Sequence, residues 1–173
     1  MGTLLGLKAE KATSSGQLVS DEVVNAVVEK WLSLHSEAFV FDGYPRSLGQ
    51  AAALDVMLAE RQTSVGLTLL LEVDNQTVRD RVQRRMMCSS CGMIVGIGRH
   101  VSNANASCPY CDGKLIKRLD DNPETLELRM LEYMDKTEPL ICYYRERSLL
   151  RRVDAAREPE IVFSSIVEIL EEA

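Results

Sequence analysis

Two short cysteine pairs constrain this chain more than anything else in it: Cys88-Ser-Ser-Cys91 and Cys108-Pro-Tyr-Cys111, separated by sixteen residues. Each C-x-x-C turn sets two sulfurs on one side of a tight loop. This spacing is that of a four-thiolate zinc site, a closed tetrahedron with no open position for water. Gly92 and Gly113, just beyond the pairs, give the backbone room to turn back. Such a metal is structural. Residues 88 to 113 are rich in Cys, Gly, Ser and Asn, carry too little apolar content to fold alone, and read as an insert ordered by the ion. Two disulfides, disfavoured in a reducing compartment, and four free thiols are the alternatives. Cys142, in a helical stretch with apolar neighbours, reads as core packing.

Around the insert, helical and strand patterns alternate. Ser20 can cap a helix in which Val23, Val24, Val27, Val28, Trp31 and Leu32 recur at 3.6-residue spacing until Ser36. Ala38-Phe39-Val40-Phe41 is too short an apolar run for a helix and stops at Asp42-Gly43-Tyr44-Pro45, which predicts a buried strand ending in a turn. Residues 47 to 61 read as a helix and Gly66 to Val73 as a second buried strand. Asp74 can cap a helix with its body from Val78 to Arg85; Arg79, Arg81, Arg84 and Arg85 make it the dense basic segment of the chain. On a helix Arg81 and Arg85, four apart, share one face. Asn122-Pro123-Glu124 starts another helix, expected to run through Tyr144 with a kink at Pro139. Arg152-Val153-Asp154 reads as a last strand, and Ile161, Ile166, Val167 and Leu170 mark an amphipathic terminal helix. The alternation predicts an α/β fold with a parallel sheet.

Charge narrows the function. Twenty Lys and Arg against 26 Asp and Glu give a net charge of −6, so the surface repels nucleic acid and anionic membrane, and 5% aromatic residues supply no stacking platform for bases. Any anion site must be local. Apolar runs such as Leu67 to Leu71 fall far short of the roughly 20 residues of a membrane span. Met1 to Gly6 has no basic region and no full apolar core, and Gly6 stands where a myristoylation signal needs Ser or Thr, which points to the cytoplasm. His35 and His100 have no partner at catalytic spacing and read as surface residues; Gly96-Ile97-Gly98 lacks the third glycine of a dinucleotide motif.

Phe41-Asp42-Gly43-Tyr44-Pro45-Arg46-Ser47 closely resembles the strand-to-turn signature of the adenylate kinase family. Upstream, Gly16-Gln17-Leu18-Val19-Ser20-Asp21-Glu22 is similar to the family segment lining the monophosphate pocket. Downstream, Asp80-Arg81-Val82-Gln83-Arg84-Arg85 is similar to the helix entering the mobile lid. The cysteine insert falls where the lid falls, in its zinc-bearing variant, and Arg118-Leu119-Asp120-Asp121, Arg129, Tyr133, Thr137-Glu138-Pro139-Leu140-Ile141 and Tyr143-Tyr144 match the segment leaving it. The likeness is collinear over essentially the whole chain.

The resemblance implies a P-loop NTPase-like parallel sheet with flanking helices and a small zinc-binding lid. The chain would divide into a partial monophosphate segment (1–36), an α/β core (37–86), the lid (87–117) and the rest of the core (118–173). It implies reversible phosphoryl transfer from ATP to AMP, with magnesium, by a protein monomeric at full length. Gln17, Leu18, Val19, Gly43, Arg46 and Gln50 would bind the monophosphate, Arg46 its phosphate and Gln50 its base. Arg81, Arg85 and Arg157 would contact the donor, Arg118 and Arg129 would clamp the transferring group, and Asp42 would order magnesium through water. Asp120 and Asp121 are similar to the lid-hinge pair and would anchor arginines or the closed state. Phosphoryl transfer asks a protein mainly for electrostatic positioning, so rigid guanidinium forks in an acidic chain agree with this.

One family feature does not occur: there is no G-x-x-x-x-G-K-[S/T] in these 173 residues. The chain is therefore expected to begin beyond the family's first strand and phosphate loop, and to have little kinase activity as written. The alternatives are an inactive family member serving as a nucleotide-binding or interaction protein, and a zinc-ribbon module for nucleic acid, which the net charge disfavours.

Overall fold

The computed structural model describes residues 20–118 and 120–172. Gln17, Leu18 and Val19 lie outside them. Two compact units emerge, one from the chain up to Thr68 together with Tyr133–Leu150, the other from Leu69–Glu132 and Arg151 onward.

In the first unit, α1 (Asp21–Leu32) and α2 (Leu48–Ala59) pack through Val28 and Leu32 against Leu54 and Leu58. The apolar period runs on to Ser36, but the helix stops at Leu32, where Ser33 Oγ donates to the Lys30 carbonyl at 2.7 Å. At the other end Ser20 caps with its carbonyl, which accepts from Val23 and Val24, and its side chain makes no capping bond. Ser47 caps α2 properly, its Oγ accepting from the Gln50 N–H at 3.1 Å. The helix predicted through Tyr144 is instead divided. After α4 (Pro123–Glu132) comes a π-helical stretch, Tyr133–Thr137, and α5 (Pro139–Glu146) restarts with Pro139 in its first turn, where the missing N–H costs nothing. Leu140 and Tyr144 of α5 bury against Ala51 of α2.

The run Ala38–Phe41 is not the buried strand predicted for it. It forms no strand, and Val40 is 88% exposed. A strand needs a neighbour to satisfy its N–H and C=O groups, and no strand among the described residues pairs with it. Its aromatic residues find another use: Phe39 and Phe41 pack on Trp31, their ring centroids 5.3 and 5.6 Å from it. Cys142 is also not in the core. It is exposed, with its Sγ 3.3 Å from Glu146 Oε1 and 3.4 Å from the Arg145 guanidinium, because α5 turns its Leu140–Tyr144 stripe inward and Cys142 lies off it.

β1 (Thr68–Glu72) and β5 (Leu150–Asp154) form the parallel sheet of the α/β fold. The Thr68 N–H donates to Leu149 at 2.9 Å and the Ala155 N–H to Glu72 at 2.8 Å, so the two strands advance together. In the second unit Asp74 caps α3 (Asn75–Arg84), accepting from the Thr77 N–H at 2.8 Å. Asn122 does the same for α4, accepting from Thr125 at 2.8 Å. The terminal helix is α6 (Pro159–Glu171). Between α3 and α4 lies the insert, a small antiparallel sheet in which β2 (Arg85–Cys88) pairs with both β3 (Ile94–Gly96) and β4 (Leu115–Ile116). Its core is Met86, Cys88, Val95, Cys108 and Leu115.

Candidate functional site

The four cysteine sulfurs meet. Their ligand atoms all lie within 4.8 Å of one another, with Cys88 and Cys111 at 3.4 Å and Cys91 and Cys108 at 3.8 Å. A tetrahedron with metal–sulfur bonds of about 2.3 Å has edges of about 3.8 Å, so the donor set fits a closed thiolate site. No disulfide joins them. The N–H groups of Cys91 and then Ser90 draw the Cys88 thiol down to about 6. Cys111 is pushed up to about 12: the Gly113 N–H favours its thiolate, but hydrogen bonds with Cys91 and Cys88 outweigh that. Sulfurs this close cannot all ionise unless a cation neutralises them. The two turns are built differently. Gly92 takes φ +73°, whereas in the second turn Asp112 takes the left-handed conformation at φ 56°. Gly113 is there for closeness: a Cβ would lie 2.6 Å from Ser90 Oγ and 2.9 Å from Cys88 Sγ.

At the neck of this insert three arginines converge on two adjacent acids. Arg118 grips Asp120 with both ends of its fork, Nε to Oδ1 at 2.9 Å and Nη2 to Oδ2 at 2.7 Å, and Arg129 Nη2 reaches the same carboxylate at 2.5 Å. Arg118 first and Arg129 second hold the Asp120 carboxyl well below the usual carboxylate range. Arg85 grips Asp121 in the same bidentate way, with Nε donating to Oδ2 at 2.8 Å and Nη2 to Oδ1. The Asp121 side chain is 0% exposed and that of Arg85 29%. The hydrogen bonds that Arg85 donates to Asp121 lower the Asp121 carboxyl and raise Arg85.

Arg81 and Arg85 do not share a helix face. α3 ends at Arg84, and Arg85 is already extended at φ −72°, ψ 133°, because the chain must turn there into β2. The two diverge accordingly. Arg81 Nη2 donates to the carbonyls of Ala155 and Ala156 at 2.8 and 3.4 Å, which sets it beside the turn carrying Arg157. Arg157 is exposed and paired with Asp154 at 3.1 Å.

In the first unit the Asp42–Ser47 turn is held from several sides. Arg46, exposed, folds its Nε onto the Gly43 carbonyl at 2.8 Å, while its own carbonyl accepts from Thr137 Oγ1 at 2.9 Å. Tyr44 donates to Asn25 Oδ1 at 2.8 Å; burial, then the charge of Asp21, raises its phenol above its ordinary value. Gln50 is buried, its Oε1 accepting from the Arg46 N–H and its Nε2 donating to Asp21 Oδ1, each at 2.7 Å. Asp21 Oδ2 accepts from Ser47 Oγ at 2.6 Å. Asp42 is exposed at the turn's start.

Comparison with known proteins decides what this arrangement belongs to. The family profile described as Adenylate kinase matches residues 1–149. The adenylate kinase of Fervidobacterium nodosum is 37% identical over 171 residues, 98% of this chain and 78% of that protein. That of Thermodesulfovibrio yellowstonii is 37% identical over 172 residues, covering 98% and 80%, and that of Syntrophobacter fumaroxidans 36% over 171, also 98% and 80%. The chain belongs to the adenylate kinase family. By family it is a phosphotransferase, and adenylate kinases act on ATP and AMP. Of the residues singled out from the sequence, Arg85, Arg118, Arg129, Asp120 and Asp121 come together in one unit, and Gly43, Arg46 and Gln50 in the other. Asp21 and Thr137 escaped notice as holders of the Arg46 turn. They stand 29 residues before Gln50 and 91 after Arg46, so only the folded chain reveals them.

Proposed function

We propose that this adenylate kinase family member transfers the terminal phosphate of ATP reversibly to AMP, giving two ADP, with its arginines divided between the two nucleotides. The observation that carries the reading is the convergence of Arg118 and Arg129 on one carboxylate, with Arg85 on the next. In a chain of net charge −6 this concentrates three planar forks at one point. Carboxylates hold the guanidinium groups oriented, and a phosphoryl group competes for the same donors. Arg118 and Arg129 clamp the transferring group. Arg85, Arg81 and Arg157 serve the donor. Arg46 holds the AMP phosphate, Gln50 contacts its base, and Gln17, Leu18, Val19 and Gly43 line the pocket. Asp42 orders magnesium through water, and magnesium when bound neutralises charge on the ATP phosphates. The four cysteines hold one structural zinc, which orders the lid. The acidic surface suits a cytoplasmic monomer working on free nucleotides.

Coupled measurement of ADP formation and calorimetric titration of AMP, both in a parent chain supplied with the phosphate loop that these 173 residues lack, test this. Arg118→Ala and Arg129→Ala should each lower kcat about 10²- to 10³-fold and leave AMP affinity nearly unchanged, while Arg46→Ala should weaken AMP binding as well. A parent chain that neither forms ADP nor binds AMP would refute the reading, and so would turnover within a few-fold of the parent in all three variants.

A further inference from the structure

Gln50 is held in one orientation by neighbours that leave it no choice. A backbone N–H can only donate and a carboxylate can only accept. The Arg46 N–H lies 2.7 Å from Oε1 and the Asp21 carboxylate 2.7 Å from Nε2, so reversing the amide would set an NH₂ against an N–H and an oxygen against a carboxylate. Asp21 is itself pinned through its second oxygen by the Ser47 hydroxyl at 2.6 Å, and Ser47 is fixed as the cap of α2, accepting the Gln50 N–H. The loop closes on itself: the helix that carries Gln50 begins at the residue that orients the carboxylate that orients Gln50.

The valences left over follow by counting. A primary amide has two lone pairs on oxygen and two hydrogens on nitrogen. Arg46 uses one lone pair and Asp21 one hydrogen, which leaves one acceptor on Oε1 and one donor on Nε2 at fixed ends. Adenine presents a donor at its 6-amino group and an acceptor at N1, and an amide of fixed polarity satisfies both. Hypoxanthine presents the reverse, a 6-oxo acceptor and an N1–H donor. An amide free to flip would serve either base equally well.

We propose that Asp21 is a positioning residue for base selection: by locking the polarity of the Gln50 amide it makes the monophosphate site prefer a 6-amino over a 6-oxo purine. This rests on the reading of Gln50 as the residue that contacts the base. Asp21→Asn keeps the shape and removes one of the two locks, since an asparagine amide can either accept from Nε2 or donate to a flipped Oε1, which leaves the Arg46 N–H alone to oppose reversal. Binding of AMP and of inosine monophosphate, measured by calorimetry, should show the parent preferring AMP by about 10- to 100-fold, the range of a bidentate contact. In Asp21→Asn, with only the Arg46 N–H left to oppose the flip, the ratio should fall several-fold, mainly by a gain in inosine monophosphate affinity. A merely structural role would weaken both ligands together and keep the ratio, and that result would overturn the proposal. ¹⁵N relaxation of the Gln50 side-chain amide without nucleotide tests the lock by itself. It should be as rigid as the backbone in the parent and looser in the variant, and a mobile amide in the parent would overturn the lock. A rigid amide in a parent that binds both monophosphates alike would overturn the base contact, and the selection with it.

Discussion

Replacing Asp121 by alanine should loosen the insert while leaving the first unit untouched. Asp121 accepts two hydrogen bonds from Arg85 with its side chain wholly out of solvent, and Arg85 is 29% exposed. Breaking a buried pair by deleting one partner costs about 3 to 5 kcal/mol, most of it the penalty on the stranded charge. Part of that penalty is relieved here because Arg85 can turn toward water, so the cost should be about 2 to 3 kcal/mol. At about 1.4 kcal/mol per tenfold, this is roughly a 30- to 140-fold change in an opening equilibrium. The lone Trp31 sits in the first unit and cannot report it. Amide hydrogen exchange can. Arg85 opens β2 and Asp121 follows β4, so the pair fastens the insert where the chain enters and leaves it, and amides such as Cys88 and Ser89, bonded to Met93 and Lys114, should lose protection by that factor. Arg85→Met combined with Asp121→Ala should recover much of the loss, because no charge is left stranded. Protection within about threefold of the parent in the single variant, or a double variant as loose as the single one, would refute this account of the pair.

Metal analysis should find one zinc per chain. Its removal by a chelator should abolish exchange protection in residues 85–116, because so small a core cannot offset an ordering cost of about 1.5 kcal/mol per residue; a metal-free protein with this segment fully protected would contradict it. Acid should act at the neck. Asp120 and Asp121 both have carboxyls lowered by arginines, so their contribution is complete above the unfolded value of about 4 and is lost as pH falls through the lower folded values. Urea titrations monitored by exchange at pH 7, 4 and 3 should show the insert weakening steadily on acidification, and a stability unchanged down to pH 3 would count against it.

What could be read in advance depended on whether a residue's partner lay nearby in the chain. Asp74 and Asn122 are caps that bond three residues ahead, and each was legible, whereas Ser47, which caps α2 in the same way, was read only as the first residue of its helix. The cysteine pairs were legible because metal geometry imposes its spacing on the chain. Arg85 was misplaced on a helix because helical spacing does not register a chain that must change direction to begin β2. Ala38–Phe41 has the composition of a strand, but pairing is a property of two segments and not of one. Cys142 looked internal because its neighbours in sequence are apolar, but it stands two residues from both Leu140 and Tyr144 and so on the side of α5 away from the buried stripe. Asp21 is a polar residue at a helix start, ordinary in every local respect, and its role comes from a distant glutamine.

The two glycines that follow the cysteine pairs look interchangeable on paper, yet a substitution meets a different obstacle at each. At position 92 the demand is only on backbone rotation, which asparagine meets at modest expense, so variants there can drift. At position 113 the demand is for empty space beside a sulfur, and even a single methyl group must displace Ser90 or Cys88. Two glycines in matching places thus carry unequal mutational risk, one as a tolerant joint and the other as a fixed clearance on which the neighbouring sulfur's seat depends.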